Sequence, residues 1–194
     1  WDDSFSGYTG VYAVYHGILG HTIEIPEGNE ESYKAGRNAV LGGIDFLNQD
    51  PDRLLEMRLN FYLRGLNKTE DPKAENELVG PNGEIVGRVK NGRPKFFPDY
   101  YVIPMSLDKD NDAQEAFNMI DYFKRNGVLV KELKEDTGNY KKGDLVIDMA
   151  QAKRGYANHI LYKGSNESAW AAMYAELLVN FPDMRGFKSE PVFA

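Results

Sequence analysis

Apolar residues recur at helical spacing in two stretches of the N-terminal third of the chain. Within residues 30–49 the apolar positions are Ala35, Val40, Leu41, Ile44, Phe46 and Leu47, and within 53–65 they are Leu54, Leu55, Leu59, Tyr62 and Leu63. Steps of three and four residues place such side chains on one face of a helix. The pattern predicts two amphipathic helices, separated by a turn at Asp50-Pro51-Asp52.

A different pattern begins near residue 98. Three short apolar runs, rich in β-branched or aromatic residues, predict strands at 100–105, 128–130 and 143–149. A helix with its apolar positions at Ala113, Ala116, Phe117, Ile120 and Phe123 is predicted over 111–126, and Gly127 follows as its C-cap. Further helices are predicted at about 153–162 and 168–180. The strand–helix–strand order favours parallel pairing, so the sequence predicts a small, mostly parallel βαβ module of the α/β class.

The stretch between these regions, 67–97, is polar and rich in Gly, Pro and Asn. It contains one short strand-like run, 84–89, with turn residues on both sides. A linker or a surface hairpin explains this composition. The sequence therefore predicts three parts, namely 1–66, 67–97 and 98–194.

Composition narrows the function classes. The chain has 194 residues, of which 42% are hydrophobic and 27% are charged, and this is the composition of a globular protein. The net charge of −7 argues against nucleic acid as a partner, because nucleic-acid binding needs a basic face. The absence of Cys excludes disulfides, thiolate zinc sites and Cys nucleophiles. The chain contains no run of about 18 apolar residues, so the sequence predicts no membrane-spanning helix.

The N-terminus shows no initiator Met and no signal peptide. We interpret the chain as a fragment or processed product of a longer protein. Its location stays open between the cytoplasm, the cell surface and secretion.

One carboxylate stands out in the segment Gly20-His21-Thr22-Ile23-Glu24-Ile25-Pro26. The β-branched residues predict a strand, in which Glu24 would sit between apolar neighbours. A carboxylate in an apolar strand is costly unless it is paired, bound to a metal or used in chemistry. The plainer interpretation is an edge-strand Glu whose carboxylate lies in solvent.

Residues 12–25, Tyr-Ala-Val-Tyr-His-Gly-Ile-Leu-Gly-His-Thr-Ile-Glu-Ile, and the helix predicted after them resemble the C-terminal part of the catalytic domain of zinc metallocarboxypeptidases of the carboxypeptidase A-like family. The resemblance covers about residues 1–50. It implies that Thr22-Ile23-Glu24 lies on the last strand, with Glu24 as the general base. It also implies a peptide substrate, and a mobile Tyr upstream of the base that closes over it. Tyr8, Tyr12 and Tyr15 are the candidates for that role, although a structural role is favoured for each.

The C-terminal region resembles the flavodoxin-like or glutamine-amidotransferase-like module that follows the peptidase domain in some bacterial members. Without a Cys nucleophile, such a module would be non-catalytic. Lys153 and Arg154 begin a predicted helix after a strand, where packing or domain docking is favoured over an anion site.

His21 and Glu24 also spell a His-x-x-Glu zinc motif, and His159 is a candidate third ligand. Residues three apart on a strand point to opposite faces, so His21 and Glu24 would not converge without a bend. His16 and His21 are better explained as locally hydrogen-bonded residues. We therefore expect no zinc site within this chain, and the resemblance places the zinc ligands upstream of it.

Two hypotheses follow. In the first, the chain is the C-terminal part of a bacterial zinc carboxypeptidase, supplies Glu24, and is inactive on its own. The upstream part of the same polypeptide would be its partner, and self-association would follow if the apolar surface that this part covers is exposed. In the second, the chain is a non-catalytic α/β domain that binds a small ligand or a partner.

Overall fold

The computed structural model describes residues 7–25, 27–70, 95–107, 110–162 and 181–193. Within these residues the protein has six helices and one four-stranded antiparallel sheet. The helices are α1 (Thr9–Tyr15), α2 (Glu30–Gln49), α3 (Pro51–Leu66), α4 (Ala113–Arg125), α5 (Arg154–Leu161) and α6 (Phe181–Arg185). The strands are β1 (Tyr100–Ile103), β2 (Lys131–Glu132), β3 (Leu145–Asp148) and β4 (Glu190–Val192).

The two predicted N-terminal helices are confirmed as α2 and α3. The side chain of Asn29 accepts a hydrogen bond from the backbone N–H of Ser32 and caps α2. Asp50 caps α3 in the same way by accepting from the N–H of Arg53, and Pro51 stands at the first helical position, where its missing N–H costs nothing. The turn that separates the helices therefore also starts the second one.

The sheet has the order β2-β3-β1-β4, and every neighbouring pair is antiparallel. The prediction of a mostly parallel sheet was wrong. Strands β1 and β2 do run parallel to each other, as expected for a strand–helix–strand unit, but β3 lies between them. The same is true of β3 and β4, which are separated by β1. The chain thus makes two split β-α-β units, and each crossover skips one position in the sheet.

The core lies between one face of this sheet and helices α4 and α5. Among the described residues its members are Tyr101, Ile103, Ala116, Met119, Phe123, Val128, Leu145, Ile147, Met149, Tyr156, Ala157, Ile160, Leu161 and Phe187. Two details differ from the sequence prediction. Phe117 is 59% exposed whereas Met119 is buried, so the buried face of α4 is rotated from the predicted one. The second strand begins at Lys131 rather than at 128–130.

The predicted strand at 22–25 is not formed. Residues 18–25 form neither a helix nor a strand, and the preceding residues 9–15 form α1. A strand needs a neighbour for its backbone hydrogen bonds, and the four strands found in the described residues all lie within 100–192. Instead, residue 20 packs on α1, where a Cβ on Gly20 would lie 3.0 Å from the Cβ of Ala13.

The predicted strand at 84–89 and the predicted helix at 168–180 lie outside the described residues. Within the described part of the chain, none of the helices combines the length and the apolar character that a membrane crossing requires.

Candidate functional site

The structure brings the N-terminal region against the start of α5 through one direct contact. The ammonium nitrogen (Nζ) of Lys153 lies 2.7 Å from Nδ1 of His16. The hydroxyl of Tyr62, on α3, donates to the backbone oxygen of His16 at 2.8 Å, and Lys153 Nζ stands 5.0 Å from the centre of the Tyr62 ring. The C-terminal end of α1 is therefore held from two sides, by α3 and by the residue that precedes α5.

Aromatic rings surround this contact. The ring of His16 lies 4.3 Å from that of Tyr12 and 4.9 Å from that of Tyr156, and Tyr12 meets Tyr156 edge-on at 5.9 Å. Tyr15 stacks on His159 with 4.5 Å between ring centres. We name Tyr12, Tyr15, His16, Lys153 and Tyr156 the His16 cluster.

Helix α4 completes the surroundings of the cluster. The hydroxyl of Tyr12 donates to Oδ1 of Asn126 at 2.8 Å, and the hydroxyls of Tyr122 and Tyr156 lie 2.6 Å apart. Burial and the hydrogen bond with Tyr122 raise the pKa of Tyr156 far above that of a free phenol, so its hydroxyl stays protonated. Aromatic rings and hydroxyl hydrogen bonds thus join α1, α4 and α5 around Lys153.

The protonation state of His16 follows from its neighbours. Burial lowers the pKa of His16 below 6.5, and the positive charge of Lys153 lowers it further. A Lys ammonium carries only donors, so Nδ1 of His16 must accept and its proton must lie on Nε2. That nitrogen is buried and has no hydrogen-bond partner in the described part of the chain. The contact therefore requires a neutral imidazole.

The next residue, Arg154, joins the same two regions by an ion pair in which only the guanidinium is fully buried. Its side chain is 5% exposed, and its guanidinium donates to Oε1 of Glu70 at 2.7 Å and to the backbone oxygen of Thr69 at 2.9 Å. The same guanidinium lies over the ring of Phe97 at 4.1 Å. Lys153 and Arg154 thus both make contacts between the N-terminal region and the start of α5.

The predicted general base lies away from this cluster. Glu24 is exposed on the segment 18–25 that follows α1 and makes no hydrogen bond or ion pair with another described residue. Tyr8 is exposed at the start of α1, whereas Tyr12 and Tyr15 contact α4 and α5. The structure does not bring the three candidate tyrosines together with Glu24.

The alternative zinc ligands are also separated. His21 and Glu24 are exposed on the segment 18–25, and His159 is buried on α5 against Tyr15. Across the described ranges, no three His, Asp or Glu side chains are grouped so that they would hold a metal ion. The residues present in this part of the chain do not fit a zinc site.

Sequence reasoning missed the pairing of His16 with Lys153, which are 137 residues apart. One signal was present. Tyr8, Tyr12 and Tyr15 follow each other at steps of four and three, which is the spacing of one helix face. That spacing predicts a short helix presenting aromatic residues to a partner, and α1 uses Tyr12 and Tyr15 in this way.

Comparisons of this chain with protein-family models, with curated protein sequences and with solved structures find no match.

Proposed function

We propose that this chain provides the C-terminal part of a zinc carboxypeptidase, with Glu24 as its general base. The residues of the segment 12–25 support the proposal, because they carry a Tyr- and Gly-rich approach to a Thr-x-Glu-hydrophobic sequence. The substrate would be a peptide, cleaved at its C-terminal bond. The zinc ligands would come from the upstream part of the same polypeptide, since the residues described here do not fit such a site.

The observation that carries the proposal is the uncovered apolar surface of the N-terminal region. Val40, Phe46 and Leu55 are 60%, 58% and 57% exposed, although they lie on amphipathic helices. Within the described part of α1, α2 and α3, Gly65 alone is buried. Exposed apolar surface of this extent marks an interaction site. A sheet packed against these helices would cover it.

The segment 18–25 also has exposed apolar side chains beside the proposed base. Ile23 and Ile25, on either side of Glu24, are both exposed. Pairing of this segment with a neighbouring strand would bury them and would supply hydrogen-bond partners for its backbone N–H and C=O groups. The carboxylate of Glu24 would then stand on the opposite face, against the bound peptide.

In this proposal Glu24 acts by moving one proton. Its carboxylate takes a proton from the attacking water and passes it to the nitrogen of the departing C-terminal residue. A positioned general base of this kind contributes about 10²–10⁴-fold to the rate.

The test uses the longer polypeptide that contains this chain. Its reading frame should hold a His-x-x-Glu sequence and a distant His upstream of Trp1, and the enzyme should release C-terminal residues from peptides. Glu24→Gln should then lower kcat by about 100-fold or more at unchanged zinc content, because Gln keeps the shape but takes no proton. Glu27→Gln is the matched control, since Glu27 is an exposed carboxylate three residues away. Activity of Glu24→Gln within tenfold of the wild type, or the absence of such an upstream sequence, would refute the proposal.

A second function is favoured by the position of the core. All of its buried residues lie between 101 and 187, so the C-terminal region closes a core of its own. A separate core is expected of an α/β domain that binds a ligand or partner without catalysis, as much as of an accessory module of a carboxypeptidase. The same experiment separates the two, because a binding domain needs no hydrolytic activity in the longer protein.

A further inference from the structure

The contact between His16 and Lys153 holds only one protonation state of the imidazole. At 2.7 Å the ammonium donates to Nδ1, and a proton on Nδ1 would place two donors and two positive charges at hydrogen-bond distance. The other ring nitrogen, Nε2, is buried without a partner in the described residues. A protonated ring would therefore lose the Lys153 contact and gain no acceptor in exchange.

The groups that face His16 do not favour a positive charge there. Within the described part of the chain, no carboxylate is hydrogen-bonded or ion-paired to this histidine. The titratable groups that contact it are Tyr12 on α1, Tyr62 on α3, and Lys153 and Tyr156 at α5. One residue further away, Tyr122 on α4 bonds Tyr156 and Arg58 on α3 lies beside Tyr62. The two formal charges in this set, those of Arg58 and Lys153, are both positive.

We propose that the His16–Lys153 contact makes the docking of α1 on α5 depend on pH. Helix α1 binds while His16 is neutral and is released when His16 takes up a proton. The inference concerns this chain alone and does not rest on the proposed function.

The direction follows from linkage. The pKa of His16 is lowered in the docked state and returns towards 6.5 when the helix is released, so the released state binds more protons. The equilibrium constant for docking is therefore at its maximum above about pH 6.5, and it falls as the pH is lowered towards the lowered pKa of His16. One proton changes the docking equilibrium by at most about tenfold per pH unit.

Release of α1 would not stay confined to that helix. Seven residues are too few for a helix to be stable without packing, so undocked α1 is expected to unwind. Gly17 follows His16 with a φ of +69°, and a Cβ there would lie 3.0 Å from the Phe61 ring on α3. The segment that carries Glu24 begins at this point. Its first residues would be freed together with α1.

The experiment measures both the titration and the docking on the chain itself. NMR of the chain with labelled histidine gives the midpoint of His16, and hydrogen exchange of the α1 amides, corrected for the intrinsic pH dependence of exchange, gives the docking equilibrium. We expect the midpoint below 6.5, and protection of α1 that falls several-fold from pH 6.5 to 5.5. His16→Phe keeps an aromatic ring without a titrating group, so its α1 protection should not change over this range.

Two further variants keep the test decisive if His16→Phe does not fold. Lys153→Met keeps the aliphatic stem but removes the charge, so the His16 midpoint should rise and the loss of protection should become smaller. His21→Gln changes an exposed histidine outside the cluster and should retain the wild-type profile. A His16 midpoint at or above 6.5, an equal loss of protection in His16→Phe, or no effect of Lys153→Met would overturn the proposal.

Discussion

Replacement of Gly65 by Ala tests the packing of α3 on α5. A Cβ at this position would lie 3.2 Å from the backbone oxygen of Ala152 and 3.3 Å from the Cβ of Arg154, and it would overlap the backbone oxygen of Gln151. A flexible side chain could turn away from a new methyl group, but these carbonyls belong to the backbone that leads into α5. The helices would have to move apart.

The magnitude is a difference between two effects. Ala favours a helix interior over Gly by about 1 kcal/mol, whereas an extra carbon in a well-packed contact costs about 1–3 kcal/mol. Because the overlap is with backbone, we expect the upper part of that range. Gly65→Ala should therefore lower the free energy of unfolding by about 1–2 kcal/mol, measured by urea denaturation followed by circular dichroism.

Gly42→Ala is the matched control. Gly42 also lies within a helix, but a Cβ there meets no atom within 4 Å. This variant should raise the free energy of unfolding by about 0.5–1 kcal/mol through helix propensity alone. If Gly65→Ala stabilised the protein as much as Gly42→Ala does, α3 would not pack on α5 as described.

Two more substitutions test buried polar contacts by the same denaturation assay. Tyr101→Phe should cost about 1–3 kcal/mol, because it removes the hydroxyl that donates to buried Asn158 Oδ1 at 2.9 Å and leaves that acceptor unpaired; a change below 0.5 kcal/mol would contradict this pairing. Glu70→Gln should lower the free energy of unfolding by about 2–3 kcal/mol, which is less than the 3–5 kcal/mol typical of a fully buried pair because Glu70 is partly exposed. The double variant with Arg154→Met should lower it by less than the sum of the two single changes. Strict additivity in this cycle would show that the ion pair is not formed.

The helices were predictable because their signal is local. Helices α2 and α3 have apolar residues at steps of three and four and carry polar caps, and both were located within a few residues. The phase of α4 was harder to predict. Both Phe117 and Met119 are apolar, and only the packed core decides which of them faces inwards.

The sheet was only partly predictable because strand pairing is not local. The runs at β1 and β3 are apolar and were located correctly. No local sequence pattern, however, indicates that β3 lies between β1 and β2 in the sheet. At 22–25 the β-branched residues indicated a strand, but among the described residues no neighbouring strand pairs with that segment. A preference for extended backbone is not enough without a partner for the hydrogen bonds.

The candidate site also has a part that local sequence indicates and a part that depends on the fold. Residue type and spacing singled out Glu24 and the tyrosines of α1, and the structure leaves their proposed roles as predictions. The contact of His16 with Lys153 depends on how two distant parts of the chain fold against each other, and it has no sequence motif of its own.

The two outer strands of the sheet have a consequence for how copies of this protein meet. Strand β2 is two residues long, and both Lys131 and Glu132 are exposed and charged. Strand β4 is three residues long and contains Pro191, which has no N–H to offer to an added strand. Short, charged or proline-containing borders of this kind discourage the stacking of sheets end to end into fibres. If this protein aggregates when concentrated, the aggregates should be amorphous and held together by the apolar helices, without the 4.7 Å spacing of cross-β fibrils.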